Sequence, residues 1–305
     1  MSSSDPWIPE IDISPAFVRA RLAESFPEFA VTSVELLGRG WDNAAYLVNQ
    51  QWVFRFPCRE VAAQVMAVEV ALLPAIQEIL PLTIPTLEFI CTDNPNYGWP
   101  FSGYKKLSGE TACRLQMNDD ERLRCAIPLA QFLKVLHSEQ LFQIGRECNI
   151  PGDIWQKSDP SFRVSLTLEL FDALAARNVY FASDKLRQLV QGSEDIVVER
   201  PSSLVHGDFY VRHLIIDNVG ELSGIIDWGD VHIGQPALDL SIVYSFLPVA
   251  SHDLFWQHYG EVSTESKRLA KLRAIYSAVM LIDYGDKIND QDLVREGLYC
   301  LARFH

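Results

Sequence analysis

Three residues in this 305-residue chain have the types and spacing to act together: Asp208 in His206-Gly207-Asp208, His213 five residues on, and Asp227 fourteen residues further. A loop carboxylate can accept a hydrogen bond from an incoming hydroxyl and take its proton late in a reaction, with no prior shift of its charge state. A carboxylate and a neutral imidazole nitrogen can each offer a lone pair to a divalent cation. Two short apolar runs, Leu214-Ile215-Ile216 and Leu222-Ser223-Gly224-Ile225-Ile226, lie between the histidine and the second acid and read as a hairpin. Such a set suits phosphoryl transfer, which needs few side chains because it runs on positioning and on offsetting developing charge.

The same order, acid, metal-ligand type, hairpin, acid, is similar to the layout of protein-kinase-like sites. Asp208 then orients the acceptor hydroxyl, and His206 holds the loop through its ring. Asp227 bridges a cation to the phosphates, with His213 as second ligand in a position where protein kinases carry Asn. Mg²⁺ prefers oxygen, so the nitrogen is a departure. Trp228 and Gly229 follow Asp227, an aromatic to pack under the site and a glycine to permit a turn. Arg212 is either a fixed positive charge for the transferring phosphoryl group or a solvated surface arginine.

The elements that must position these residues fall into two kinds. A β-rich N-terminal portion precedes a helical C-terminal one. Residues 14–27 read as an amphipathic helix stopped by Pro27, and 31–37, 44–48 and 52–56 as strands, with Asn49-Gln50-Gln51 as a turn. Residues 59–80 read as a long helix that Pro74 should bend or end. Strands at 83–91 and 100–104 complete a small sheet. Helical patterns then cover 118–138, 161–177, 183–191, 237–247, 266–286 and 289–303, and the only later strands flank 214–226. The expected fold is α+β, with residues 1–104 as a nucleotide-binding lobe and 105–305 as a catalytic and substrate-binding lobe.

In the third strand, alternation places Trp52, Phe54 and Phe56 on one face and Val53 and Arg55 on the other. A kinase strand of this kind presents a small apolar residue over the base and, two positions on, a cation at the phosphates. Val53 and Arg55 fit, and Glu69 on the next helix is the expected partner of Arg55. Glu60 reads as a solvated first-turn acid. The loop from Gly38-Arg39-Gly40 through Trp41 and Asp42 to Asn43 lies over the phosphates in this reading, although Gly38-x-Gly40 alone is also an ordinary hairpin turn. Residues 103–107, with Tyr104 and Leu107, form the expected hinge. Ile226, just before Asp227, completes the nucleotide-contacting set.

Composition sets bounds. Hydrophobic residues make up 48% of the chain, enough for a sizeable core. The net charge of −14 argues against nucleic acid as a partner. It is compatible with a cationic substrate and equally with solubility alone. No apolar run is long enough to span a bilayer. The start, Met-Ser-Ser-Ser-Asp-Pro-Trp, lacks the basic and apolar stretches of a secretory signal. The six cysteines are scattered without a C-x-x-C pair, which fits a reducing, cytoplasmic setting. No G-x-S-x-G elbow points to a serine hydrolase.

The runs WVFRFP, FSGYKKLSGE, HGDFYVRHLIID and GIIDWGDVHIGQPALDLS resemble those of the aminoglycoside phosphotransferase family, within the larger kinase-like fold. His213 is similar to the histidine of its 2''-phosphotransferase and macrolide-kinase branches. The resemblance covers most of residues 31–250. It implies a bilobed fold with a small β-rich N-lobe and a larger helical C-lobe. It implies ATP or GTP with Mg²⁺, and phosphorylation of a hydroxyl on a small antibiotic-like or sugar-like molecule. By matching position it implies Asp208 as catalytic acid/base, His213 and Asp227 as metal ligands, Arg55 with Glu69 as the phosphate-anchoring pair, and Asp239 as a buried acid bracing the catalytic loop. Two departures are Arg55 in place of Lys, and Gln235 where an Asp before Pro is common. The resemblance places the acceptor pocket in the helices of roughly 150–200 and 250–300. There Asp253, Glu261 and Glu265 read as a solvated helix face or as contacts for amines. Trp155, Phe255, Trp256 and Tyr259 read as core aromatics or as an apolar wall. A metabolite acceptor (choline, homoserine or a ketosamine) and a nucleotide-binding pseudokinase are the alternatives.

Overall fold

The computed structural model describes residues 10–40 and 43–304. Trp41, Asp42 and the N-terminal residues read above for a signal lie outside the described residues. The chain divides into two compact units, residues 1–78 with 84–107, and residues 79–83 with 108–305.

The first unit opens with α1 (Pro15–Ser25), capped by the Ser14 hydroxyl, which accepts from the Phe17 N–H at 3.1 Å. Its sheet is antiparallel in the order β1 (Val34–Arg39), β2 (Asn43–Val48), β3 (Trp52–Pro57), β5 (Phe101–Lys105), β4 (Leu87–Cys91). The β2–β3 turn uses Asn49 and Gln50 at φ 53° and 57°, the left-handed pair that a tight hairpin needs. Tyr46, Phe54, Phe56 and Phe101 close a fully buried core with α1, Phe56 and Phe101 stacking at 4.5 Å. A Cβ at Gly103 would lie 2.4 Å from the Phe54 ring, so β5 can pass that ring only as glycine. The other face of β3 carries Val53 and Arg55 beneath α2 (Glu60–Ile76). This helix ends two residues beyond Pro74, short of the expected residue 80; proline there has no N–H to donate to the helix.

The second unit is mainly helical: α3 (Asp119–Arg124), α4 (Ala126–Leu136), α5 (Glu139–Glu147), α6 (Pro160–Ala176), α7 (Asp184–Gln191), α8 (Ala237–Leu240), α9 (Ile242–Ser245), α10 (His252–Tyr259), α11 (Thr264–Lys287) and α12 (Gln291–Leu301). The single helix expected over 118–138 is two, broken at Cys125. Two short strand systems carry the chemistry-bearing loops: β6 (Glu110–Thr111) with β8 (Leu214–Ile216) and β9 (Leu222–Ile225), and β7 (Ser203–Val205) with β10 (His232–Gly234). The hairpin is the expected one. Strands β6, β7 and β10 and helices α5 and α10 were not expected; the three strands are two or three residues long and pair with segments remote in sequence, which leaves no local hairpin signal. All six cysteines are thiols, five of them buried. Among the described residues no helix is long and apolar enough to cross a membrane.

Candidate active site

Strand β7 delivers the chain into His206-Gly207-Asp208, and the loop is fixed from several directions. Asp239, fully buried at the start of α8, accepts from the His206 N–H at 2.7 Å and from the Gly207 N–H at 2.8 Å. His137, at the end of α4, reaches the same carboxylate through Nε2 at 3.1 Å, and its Nδ1 lies 2.9 Å from the Tyr259 hydroxyl. Burial alone would raise the Asp239 pKa, but His137, His206 and the Gly207 N–H reverse this, and the net direction is down. Gly207 has φ 79°, and a Cβ there would lie 2.4 Å from the Asp230 carbonyl oxygen. No other residue fits that turn.

His206 is fully buried, and burial lowers its pKa despite the nearby carboxylates. As a neutral ring it donates from Nε2 to the Ile226 carbonyl at 3.1 Å and accepts the Asp208 N–H on Nδ1 at 3.4 Å. It thus ties the Asp208 loop to the residue preceding Asp227. Trp228, fully buried, packs against it with ring centroids 4.9 Å apart.

His213 stands between the two carboxylates. Its Nδ1 donates to the Asp208 carbonyl at 2.8 Å and lies 3.9 Å from Asp208 Oδ2; its Nε2 lies 3.3 Å from Asp227 Oδ2. Burial opposes charge on this ring, but Asp227 and Asp208 more than offset it and raise its pKa. Asp227 takes φ 65°, a left-handed conformation uncommon outside glycine, and its side chain remains 46% exposed, open to a ligand. No group of three or more His, Cys, Asp or Glu side chains suited to a metal occurs among the described residues. Asp227 offers carboxylate oxygens, the donor type that Mg²⁺ prefers. His213, with Nδ1 committed to a carbonyl, has Nε2 as its only remaining donor atom for a metal.

The other expected residues divide by location. In the first unit, Arg55 and Glu69 form a buried ion pair, with side chains 8% and 2% exposed. Val53 and Tyr104 are cross-strand partners, both buried, and Leu107 is half-buried at the end of that unit. Gly38 and Gly40 are exposed; among the described residues an added Cβ at Gly38 would meet nothing within 4 Å and one at Gly40 only an ordinary contact. Arg212 lies beside the motif in sequence, but its guanidinium rests over the Tyr284 ring at 5.6 Å. The arginine that touches Asp208 is Arg273 of α11, with Nη2 3.4 Å from Oδ1. Gln235 is buried and donates its amide to the Glu199 carbonyl, a bond that an aspartate could not make. Glu265 accepts from Arg268 and from the Val197 N–H. Asp253 and Glu261 are exposed. Three of the four aromatics pack together, Phe255 against Trp256 at 5.0 Å and against Tyr259 at 5.8 Å; Phe255 is core, Tyr259 binds His137, Lys267 lies over Trp256, and Trp155 is exposed.

Sequence reasoning missed Arg273, His137 and Lys157, whose Nζ lies 2.8 Å from Asp230 Oδ1 and 3.1 Å from the Gly207 carbonyl. Each is remote in sequence from the motif, and only the fold brings it there.

The profile of the phosphotransferase enzyme family matches residues 33–272. The chain belongs to that family, and its α+β fold is kinase-like. A solved structure of the GDP complex of wild-type aminoglycoside 2'-phosphotransferase-IIIa is 26% identical, with a TM-score of 0.69 over 96% of this chain and 98% of that one. The macrolide 2'-phosphotransferase type I, 20% identical, shares the fold with a TM-score of 0.60 over 94% and 98% of the two chains. The viomycin phosphotransferase of Streptomyces vinaceus is 27% identical over 128 residues, which is 41% of this chain and only 34% of that relative.

Proposed function

We propose that this protein is a small-molecule kinase that moves the γ-phosphoryl group of ATP or GTP to a hydroxyl of an antibiotic-like or sugar-like acceptor. The observation that carries this is the position of His213, in reach of the carboxylates of both Asp208 and Asp227. Asp208 holds the acceptor O–H and receives its proton as the new O–P bond forms and the bond to the β-phosphate oxygen breaks, with the nucleoside diphosphate as leaving group. Asp227 and His213 would hold Mg²⁺, which when bound neutralises phosphate charge. His206 keeps the Asp208 loop in register with Asp227. Arg55, oriented by Glu69, binds phosphate oxygens; Val53, Tyr104, Leu107 and Ile226 contact the nucleotide.

GDP in the complex of the 26%-identical relative supports a nucleoside triphosphate co-substrate. The test is transfer from γ-labelled ATP and GTP to aminoglycosides, macrolides and common metabolic alcohols. Transfer that disappears in Asp208→Ala while nucleotide still binds supports the reading. Substantial residual transfer in that variant refutes the assigned role. Nucleotide binding with no transfer to any acceptor would favour the pseudokinase alternative.

A further inference from the structure

The two oxygens of Asp208 face different surroundings. Oδ2 is turned to His213, and through it to Asp227. Oδ1 is turned to Arg273. With the phosphates on the Asp227 side, the acceptor hydroxyl meets Asp208 beside Arg273. A second arginine belongs to the same cluster. Arg163 of α6 lies over the Tyr276 ring at 4.9 Å, and Arg273 lies near that ring at 5.3 Å. Both residues are more than nine-tenths buried.

This gathering of like charge is incompletely compensated. The charge on Arg163 is disfavoured first by burial and then by Arg273. Its Nη2 donates to the Trp155 carbonyl at 2.9 Å and its side chain also hydrogen-bonds to Tyr276, while its Nε, buried, has no hydrogen-bond partner among the described residues. Asp208 pairs with Arg273 but not with Arg163, and the other neighbouring acids are held by other partners. Asp230 holds Lys157. Asp153 accepts from the Lys157 N–H and from the N–H and hydroxyl of Ser158, and acts on Arg163 only as a more distant charge. A buried guanidinium lacking part of its hydrogen bonding is costly, and an anion that completes it is favoured.

Resting on the kinase reading, we infer that the acceptor carries an anionic group, a carboxylate in the simplest case, next to its reacting hydroxyl, and that Arg163 and Arg273 seat it. The inference reverses the sign suggested by the net charge of −14: the chain is acidic as a whole, and the acceptor side of Asp208 is cationic. An acceptor rich in amines would bring like charge against Arg273.

The experiment uses the intact protein with Mg²⁺ and nucleotide and two matched acceptor series: D-glucuronate, D-glucose and D-glucosamine, then 4-hydroxybutyrate and 4-amino-1-butanol. Dissociation constants are read by calorimetry and transfer by γ-label. In at least one series the carboxylate member binds at least about tenfold more tightly than the amine member, the scale of one charge-assisted hydrogen bond. Arg163→Met removes that preference by raising KM more than it lowers kcat, with nucleotide affinity unchanged, and Arg163→Lys restores part of it. Equal or tighter binding of the amines, or a preference that survives in a folded Arg163→Met, overturns the inference. If Arg163→Met does not fold, the Arg163→Lys and wild-type preferences decide it, identical values counting against the seat. Absence of Mg²⁺-dependent nucleotide binding in the wild type sinks the kinase reading instead.

Discussion

The Asp208 loop and strand β3 place their charged groups by opposite means. Asp208 is set by a network: Asp239 on two backbone N–H groups, His137 behind Asp239, His206 across to Ile226, and Gly207 in a turn with no room for a side chain. Arg55 is set by a strand and by a buried ion pair with Glu69. The network holds a loop that has no regular structure of its own. The strand needs no such bracing, because sheet register already fixes where residue 55 points. Damage to the first region should therefore reach both stability and chemistry, and damage to the second should be read mainly in nucleotide affinity.

Apart from loss of Asp208 itself, the largest expected effect is on Asp227. Asp227→Ala should lower transfer by about 10²–10³-fold and abolish the Mg²⁺ dependence of nucleotide binding, as removal of a group at the developing charge does. Unchanged affinity with Mg²⁺ counts against it as a ligand. Asp239→Ala comes next. It leaves His137 and two buried N–H groups without their carboxylate, and should cost about 3–5 kcal/mol in denaturant unfolding. Because the folded-state pKa of Asp239 lies below its ordinary value of about 3.9, its contribution is present above that value and is lost as pH falls through the folded-state pKa. Acid unfolding should thus begin at higher pH in wild type than in an Asp239→Asn variant normalised to equal neutral stability; coincident acid limbs would remove Asp239 from the account.

An Arg55→Met/Glu69→Gln double variant, which leaves no buried charge unpaired, should weaken nucleotide binding by about tenfold or more, with Arg55→Lys intermediate, because a point charge replaces a planar fork. If that double variant unfolds the protein as readily as Asp239→Ala does, the contrast between the two regions is wrong. The smallest effect belongs to Arg212→Ala. A cation over an aromatic ring is worth about 0.5–2 kcal/mol, so a modest loss of stability with turnover near that of wild type is expected. A large loss of turnover would restore Arg212 to the reaction.

These contrasts also explain what a linear reading could see. Asp208, His213 and Asp227 were legible because one loop and one hairpin carry all three, so order along the chain approximates order in space. Arg55 and Glu69 were legible because strand alternation and helix position leave little choice. Arg212 shows the limit of that approximation: it adjoins His213 in sequence, yet the single turn Val211–His213 directs it to Tyr284. Arg273 and Lys157 lie 65 and 50 residues from the loop atoms they touch, on elements whose sequence signals only a helix or a turn. The short strands β7 and β10 that hold the loop were invisible for a related reason, since three residues show no period and their pairing is long-range.

The most direct test of a shared phosphoryl-transfer centre is Asp208→Asn, followed in parallel by Mg²⁺-dependent nucleotide affinity and by single-turnover transfer from a γ-labelled nucleotide to an acceptor that wild type phosphorylates. Affinity should stay within about threefold of wild type while transfer falls by about 10²–10⁴-fold, the range for loss of a general base. Transfer at the wild-type rate by a folded, nucleotide-bound Asp208→Asn protein would contradict it.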